Sequence, residues 1–210
     1  MHSDRGLALD EVLPAFREAS DWYLAAVEGV DPAQFGAPGL GEWSVLELVA
    51  HASRAYLTLE RYLQPSGRID IETGADFFRL ALADPTMNAA VAARGRDEVA
   101  ALGDDPVATI RARAASALVA VEGAAPGAVC VTFAGTLSLA DYLATRVVEL
   151  TIHTLDLAAA VGGDGAEPPG AAARVSLIVL SALAAQPSSA VLLRALTGRA
   201  ELPHGFSAFP

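Results

Sequence analysis

The sequence contains no lysine, and this absence limits what the protein can bind. All 14 basic residues are arginines scattered along the 210-residue chain, and 25 acidic residues bring the formal net charge to −11. Nucleic-acid binding needs a concentrated positive surface that meets the phosphates, and the arginines do not cluster in the sequence. We therefore do not expect the protein to bind nucleic acid.

Cysteine and aromatic residues are also scarce. The single cysteine, Cys130, excludes an internal disulfide framework and any Cys-x-x-Cys zinc site, so a bound metal must be held by histidines and carboxylates. Aromatic residues make up 6% of the chain, within a hydrophobic fraction of 53% that is mostly Ala, Leu and Val. This composition favours closely packed helices over a β-sandwich, and the length suits one hydrophobic core.

Long apolar runs are missing as well. The longest, over residues 175–185, is too short to cross a bilayer. Residues 1–6 lack the basic segment followed by an apolar stretch that marks a secretory signal. The sequence thus predicts a soluble cytoplasmic protein with no membrane partner.

What the chain does contain is apolar residues at helical spacing through most of its length. Ser44-Val45-Leu46-Glu47 has the pattern of a capping box and predicts the start of a helix that runs until Pro65. Asp105 followed by Pro106 is a second strong start signal. The predicted helices cover residues 8–29, 44–64, 75–83, 86–102, 105–121, 138–161, 171–185 and 188–196.

One stretch favours extended structure instead. Residues 128–133 are rich in β-branched side chains and lie between glycines. A segment rich in Gly and Pro, 162–170, then separates the long helix over 138–161 from the C-terminal patterns. The sequence therefore predicts an all-α fold with at most a minor extended segment near 128–133.

Two potential metal ligands lie on the helix over 138–161. Residues four apart stand on the same helix face, so Glu149 and His153 can aim a carboxylate and an imidazole at one point. Arg146 and Asp156 share that face and are candidates for orienting the two ligands. The pair alone is weak evidence, because 12 Glu and 4 His in this length give about a quarter of such a pair by chance.

A third ligand is available if His51, inside the helix that begins at Ser44, faces this pair. Two imidazoles and one carboxylate with an open position suit a catalytic zinc, whose fourth position takes water, substrate or a thiolate. The alternative is a core or surface histidine that makes one hydrogen bond, and spacing does not choose between the two.

Three strings resemble the mycothiol-dependent maleylpyruvate isomerase-like family of the DinB superfamily. Gly41-Glu-Trp-Ser-Val-Leu-Glu-Leu-Val-Ala-His51 is similar to the start of that family's second helix, where Trp-[Ser/Thr]-Val precedes a metal-binding histidine. Arg146-Val-Val-Glu-Leu-Thr-Ile-His-Thr-Leu-Asp156-Leu-Ala resembles its Arg-x-x-Glu-x-x-x-His-x-x-Asp-Leu-Ala helix. Residues 195–206 resemble a closing segment common in actinobacterial members.

The resemblance implies a DinB-like four-helix bundle of the up-down-down-up type. The bundle would occupy residues 1–162 and bind the metal, and residues 163–210 would form a short helical extension packed on it. His51, Glu149 and His153 carry over as ligands of a divalent metal, with zinc the first choice. DinB-like proteins often pair, so a homodimer is a further expectation.

The resemblance also implies mycothiol as thiol co-substrate, bound to the metal as thiolate. In maleylpyruvate isomerisation the thiolate would add to the cis double bond, permit rotation and then leave. The family's isomerases carry a sheet-containing C-terminal domain, whereas only short helical patterns follow residue 162 here. Thiol transfer to another electrophile, or opening of an epoxide-like compound, therefore stays open beside isomerisation. The rival from another class is a non-catalytic bundle that keeps the metal for stability or binds a small molecule or regulatory partner.

Overall fold

A computed structural model describes residues 6–83, 97–163 and 165–209 of the chain. Within these residues the protein is predominantly helical, as predicted, and residues 97–102 are helical as well. The first part of the helix predicted over 86–102 lies outside the described residues. A 3₁₀ turn at Pro32–Gln34 lies in the loop between the first two helices. The longer helices are α1 (Leu9–Glu28), α2 (Val45–Tyr62), α3 (Gly74–Leu82), α4 (Pro106–Glu122), α5 (Leu139–Ala160) and α6 (Gly170–Leu196).

The start of α2 is fixed by the predicted capping box, which the structure confirms. The Ser44 hydroxyl accepts from the backbone N–H of Glu47 at 3.3 Å, and the Glu47 carboxylate accepts from the backbone N–H of Ser44 at 2.8 Å. Two of the helix's unpaired amides are thereby satisfied by side chains. Because His51 lies on this helix, the cap also helps to fix the position of its imidazole.

Replacing Ser44 with alanine should lower the free energy of unfolding by about 1 kcal/mol, since the first turn of α2 loses a side-chain acceptor. Chemical denaturation followed by circular dichroism measures this change. Ser66→Ala is the matched control, because Ser66 is exposed and lies outside the helices. Equal unfolding free energies for the two variants would contradict the assigned role of the cap.

Four helices form the core of the fold. Helices α1 and α2 each pack against both α4 and α5, so they lie diagonally across a four-helix bundle. The largest fully buried side chains include Phe16, Tyr23 and Tyr56. The Tyr23 hydroxyl donates to the backbone carbonyl of Val49 at 2.7 Å. This bond ties α1 to α2 two residues before His51.

A small antiparallel sheet lies beside the bundle, and it is larger than the predicted extended segment. Strand β1 (Leu63–Gln64) continues directly from α2 and pairs with β2 (Val129–Thr132), which pairs in turn with β3 (Gly135–Ser138). The turn between β2 and β3 uses Gly135 at φ 136°, a conformation that residues with a Cβ rarely adopt. The hairpin presents Phe133 beside Phe77 of α3, with ring centroids 6.1 Å apart.

The C-terminal region differs from the two short helices expected over 171–185 and 188–196. The structure has one continuous helix, α6, which runs past Pro187. A proline in a helix interior removes one hydrogen bond and costs stability. Packing of α6 along α1, α3 and α5 offsets that cost, and the Glu18 carboxylate accepts from the backbone N–H of Ala171 at 3.0 Å. The division into regions 1–162 and 163–210 stays a prediction.

None of the helices within the described residues has the combination of length and apolar character that a bilayer-spanning segment needs.

Candidate metal centre and adjoining cavity

Neighbouring helices α2 and α5 bring three candidate ligands together. His51 comes from α2, whereas Glu149 and His153 come from successive turns of α5. One ligand atom from each of the three side chains can be chosen so that all three atoms lie within 4.8 Å of one another. The structure therefore brings together the three side chains that the sequence singled out, from positions about 100 residues apart in the chain.

The orientation of His153 is set by two carboxylates. Its Nδ1 lies 3.0 Å from Oδ2 of Asp156, and its Nε2 lies 3.4 Å from Oε2 of Glu149. A histidine ligand commonly donates from one ring nitrogen to a carboxylate so that the other nitrogen is free for the metal. Asp156 is therefore close enough to orient His153, and its role as an orienting residue stays a prediction.

His51 is held by rings on two sides. The Trp43 ring lies 4.6 Å from it, centroid to centroid, and the His153 ring meets it edge-on at 4.9 Å. Its Nε2 lies 3.9 Å from Oε2 of Glu149. Its Nδ1 is buried and has no hydrogen-bond partner among the described residues. Trp43 is therefore a wall of the site as well as part of the entry to α2.

The electrostatics of the cluster differ from those of isolated side chains. Burial, followed by the nearby charge of His153, lowers the pKa of His51 to about 4. Burial alone would lower the pKa of His153 too, but its hydrogen bonds to Asp156 and Glu149 raise it to about 9. Burial would raise the pKa of Glu149, whereas the hydrogen bond from His153 and the charge of Arg146 bring it down to about 2.

This donor set fits a divalent metal. A carboxylate that stays ionised sits between two imidazoles, one of which is neutral at pH 7 and has a buried nitrogen with no partner among the described residues. Two nitrogens and one oxygen are ligands that zinc accepts in three-ligand catalytic sites. His51, Glu149 and His153 are the residues that could hold such an ion.

Arg146 is the other residue expected to orient the ligands, but its direct contacts are with Thr145 and Tyr142. Its Nε donates to the Thr145 hydroxyl at 3.1 Å, and its guanidinium carbon lies 4.7 Å from the centre of the Tyr142 ring. Among the described residues it makes no hydrogen bond to His51, Glu149 or His153. Its side chain instead lines a cavity that adjoins the cluster. The role of Arg146 as an orienting residue stays a prediction.

That cavity is the larger of the two prominent ones in the described part of the chain, with a volume of about 460 Å³. His51 and Glu149 form part of its wall, together with Arg54, Arg61 and Arg146. Aromatic side chains cover much of the remainder, from Tyr62, Phe77, Phe78, Phe133 and Tyr142. The cluster thus borders a space that can admit a small organic molecule.

Sequence reasoning missed most of this cavity. Arg54 follows His51 by three residues and Tyr142 precedes Arg146 by four, so helical spacing could have placed both near the cluster. No comparable signal marks Phe77 or Phe133, which come from α3 and the β2–β3 hairpin. Their arrival at the cavity depends on tertiary packing.

The other histidine and cysteine of the described residues lie apart from the cluster. Cys130 is fully buried in β2, and burial raises the pKa of its thiol to about 12, as expected for a structural thiol. His204 is exposed in the C-terminal tail.

Comparisons with known proteins agree on one family. The family model described as the mycothiol maleylpyruvate isomerase N-terminal domain matches residues 16–158, about two thirds of the chain. A solved structure described as the mycothiol-dependent maleylpyruvate isomerase is similar over 88% of this chain and 73% of that chain, with a TM-score of 0.56 and 22% sequence identity. A search among curated proteins finds no match. The structural likeness supports the DinB-like fold, and the three candidate ligands fall within the matched region.

Proposed function

We propose that this protein is a metal-dependent enzyme which uses mycothiol to transform a small electrophile. The chain belongs to the family of the mycothiol maleylpyruvate isomerase N-terminal domain, and this membership supports the proposal. Isomerisation and thiol transfer are the two reaction types that this chemistry covers. The observation that carries the proposal is the approach of His51, Glu149 and His153 to within 4.8 Å beside an open cavity.

The chain's own residues would hold the metal and orient its ligands. His51, Glu149 and His153 bind a divalent ion, with zinc as the first choice because of the donor set. Asp156 accepts from Nδ1 of His153 and so keeps Nε2 available to the ion. When bound, the ion supplies an open position that holds a thiol as thiolate near neutral pH.

The cavity would hold the electrophile next to that position. Its aromatic walls exclude water and pack against an unsaturated carbon chain, while His51 and Glu149 form the border with the metal ligands. A small molecule fits this volume, in agreement with the substrates expected from the family.

Thiol consumption tests the proposed function directly. Zinc-loaded protein is offered mycothiol with a panel of activated alkenes, epoxides and maleylpyruvate. We expect it either to consume mycothiol with one of these electrophiles or to isomerise maleylpyruvate only when mycothiol is present. The same protein treated with a chelator should do neither, and added zinc should restore the activity. Absence of turnover with every thiol and electrophile, in protein that holds one zinc, would favour a non-catalytic metal-binding bundle.

Zinc binding should also release a measurable number of protons per ion bound. At pH 7 Glu149 is ionised and His51 neutral, with pKa values of about 2 and 4, but His153 is protonated, with a pKa of about 9. Zinc must therefore displace about one proton, from His153, and its apparent affinity should rise about tenfold per pH unit between pH 5 and 8. Calorimetry in buffers of different ionisation enthalpy counts the protons released. An affinity that is unchanged across this range would contradict His153 as a ligand.

A further inference from the structure

Positive charge converges on the cavity in a chain that is strongly acidic. The formal net charge is −11, yet three of the 14 arginines, Arg54, Arg61 and Arg146, line this one space. Glu149 is the only carboxylate among the described residues that line it, and its oxygen is directed at the two imidazoles. The lining of the cavity therefore carries more positive than negative charge, and an anion would be attracted to it.

Arg146 is the most constrained of the three. The residue is only 9% exposed, and among the described residues no carboxylate lies within 4.0 Å of its guanidinium. Its Nε is used by Thr145 and its face rests on Tyr142. The charge of Arg146 reaches Glu149 and lowers its pKa, but no direct ion pair joins the two. Within the described residues only the Nε of Arg146 donates a hydrogen bond, so its Nη groups can meet a ligand in the cavity.

Arg54 is held next to the cavity by a buried carboxylate. Glu98 is 8% exposed, and its Oε2 lies 3.4 Å from an Nη of Arg54. Its Oε1 accepts from Arg113 at 2.5 Å, and Arg113 also donates to the carbonyl of Ala101 at 3.2 Å. Because one carboxylate serves two guanidinium groups and is closer to Arg113, Arg54 keeps donors that a ligand can use.

We propose that Arg146 and Arg54 form a binding site for the carboxylate of an organic ligand with a flat, unsaturated body. Glu98 is the positioning residue that holds Arg54 in this site. Guanidinium groups match a carboxylate in shape and charge, and the aromatic side chains of the cavity match a flat body. The inference rests on the proposed function only in that the ligand would occupy the cavity assigned to the electrophile.

Benzoate and benzamide provide the test, because they share a flat ring and differ in the charge of one substituent. Calorimetry should detect binding of benzoate to both zinc-loaded and metal-free protein, and benzamide should bind at least about tenfold more weakly. Arg54→Gln and Arg146→Gln should each weaken benzoate binding about tenfold or more, with little effect on benzamide. Arg174→Gln, an exposed change on α6, is the matched control and should have no effect.

Double substitution separates positioning by Glu98 from a general structural role. Glu98→Gln alone should weaken benzoate binding several-fold, but it should add no further loss once Arg54 has been replaced by glutamine. Arg146→Lys keeps the charge and should retain part of the affinity. If Arg146→Gln fails to fold, the Arg54 variants and the comparison with benzamide still decide the matter.

Two results would overturn this assignment. One is equal affinity for benzoate and benzamide. The other is benzoate binding that needs zinc and ignores both arginine substitutions, since the carboxylate would then sit on the metal. Benzoate binding to metal-free protein would hold even if the thiol chemistry failed, so the two proposals fail separately.

Discussion

Alanine in place of His51, Glu149 or His153 should in each case lower the affinity for zinc by more than about 100-fold. Even the loss of a residue that only orients a ligand lowers metal affinity about 10–100-fold. Each change removes one of only three protein donors, and two donors hold zinc poorly. Metal content after dialysis against a weak chelator, with competition against a chromophoric chelator for the affinity itself, measures the effect.

His204→Ala is the control for this series. It removes an imidazole from the exposed tail, away from the cluster, and should leave both zinc content and affinity unchanged. Glu149→Gln refines the comparison because it keeps the side-chain shape and removes the charge. Full zinc content in any of the three ligand variants would show that the corresponding side chain does not bind the metal.

Asp156→Asn should lower zinc affinity by about 10–100-fold while leaving the three ligands in place. The carboxylate accepts from Nδ1 of His153 at 3.0 Å and so directs Nε2 toward Glu149. An asparagine can still accept a hydrogen bond from this nitrogen, but it supplies no negative charge to raise the basicity of the imidazole. The same competition assay measures the loss.

The pH dependence of zinc binding gives a second readout on Asp156. Burial lowers the pKa of His153, and the hydrogen bond to Asp156 is the strongest of the interactions that raise it to about 9. In the Asn variant the pKa of His153 should fall, and zinc binding should release less than one proton at pH 7. Wild-type affinity and proton release in this variant would mean that Asp156 has no part in orienting the ligand.

Much of the helical framework follows from local sequence signals. The capping box at Ser44 and the proline after Asp105 each place a helix start correctly, because the side chain that caps a helix lies within four residues of the amides it satisfies. The pair Glu149 and His153 is also local, since one helix face carries both. The resemblance of the string that ends at His51 to a known family then indicated a third candidate ligand, which spacing alone left open.

The small sheet and the full length of the C-terminal helix α6 could not be predicted from local sequence signals. Strand β1 has two residues and β3 has four, too few for a period to show, and Ser138 ends β3 while capping α5. The continuation of α6 past Pro187 runs against local propensity and depends on packing along three other helices. Arg54, Phe77 and Phe133 meet at the cavity for the same reason, since their convergence is a property of tertiary structure.

A crystal structure of zinc-loaded protein, with anomalous scattering recorded on both sides of the zinc absorption edge, would show whether His51, Glu149 and His153 bind one zinc ion together. We expect one anomalous peak per chain, about 2.0–2.2 Å from a nitrogen of His51, a nitrogen of His153 and an oxygen of Glu149, with the remaining side of the ion open to the cavity. A peak elsewhere, or a His51 imidazole turned away from the other two ligands, would contradict this expectation.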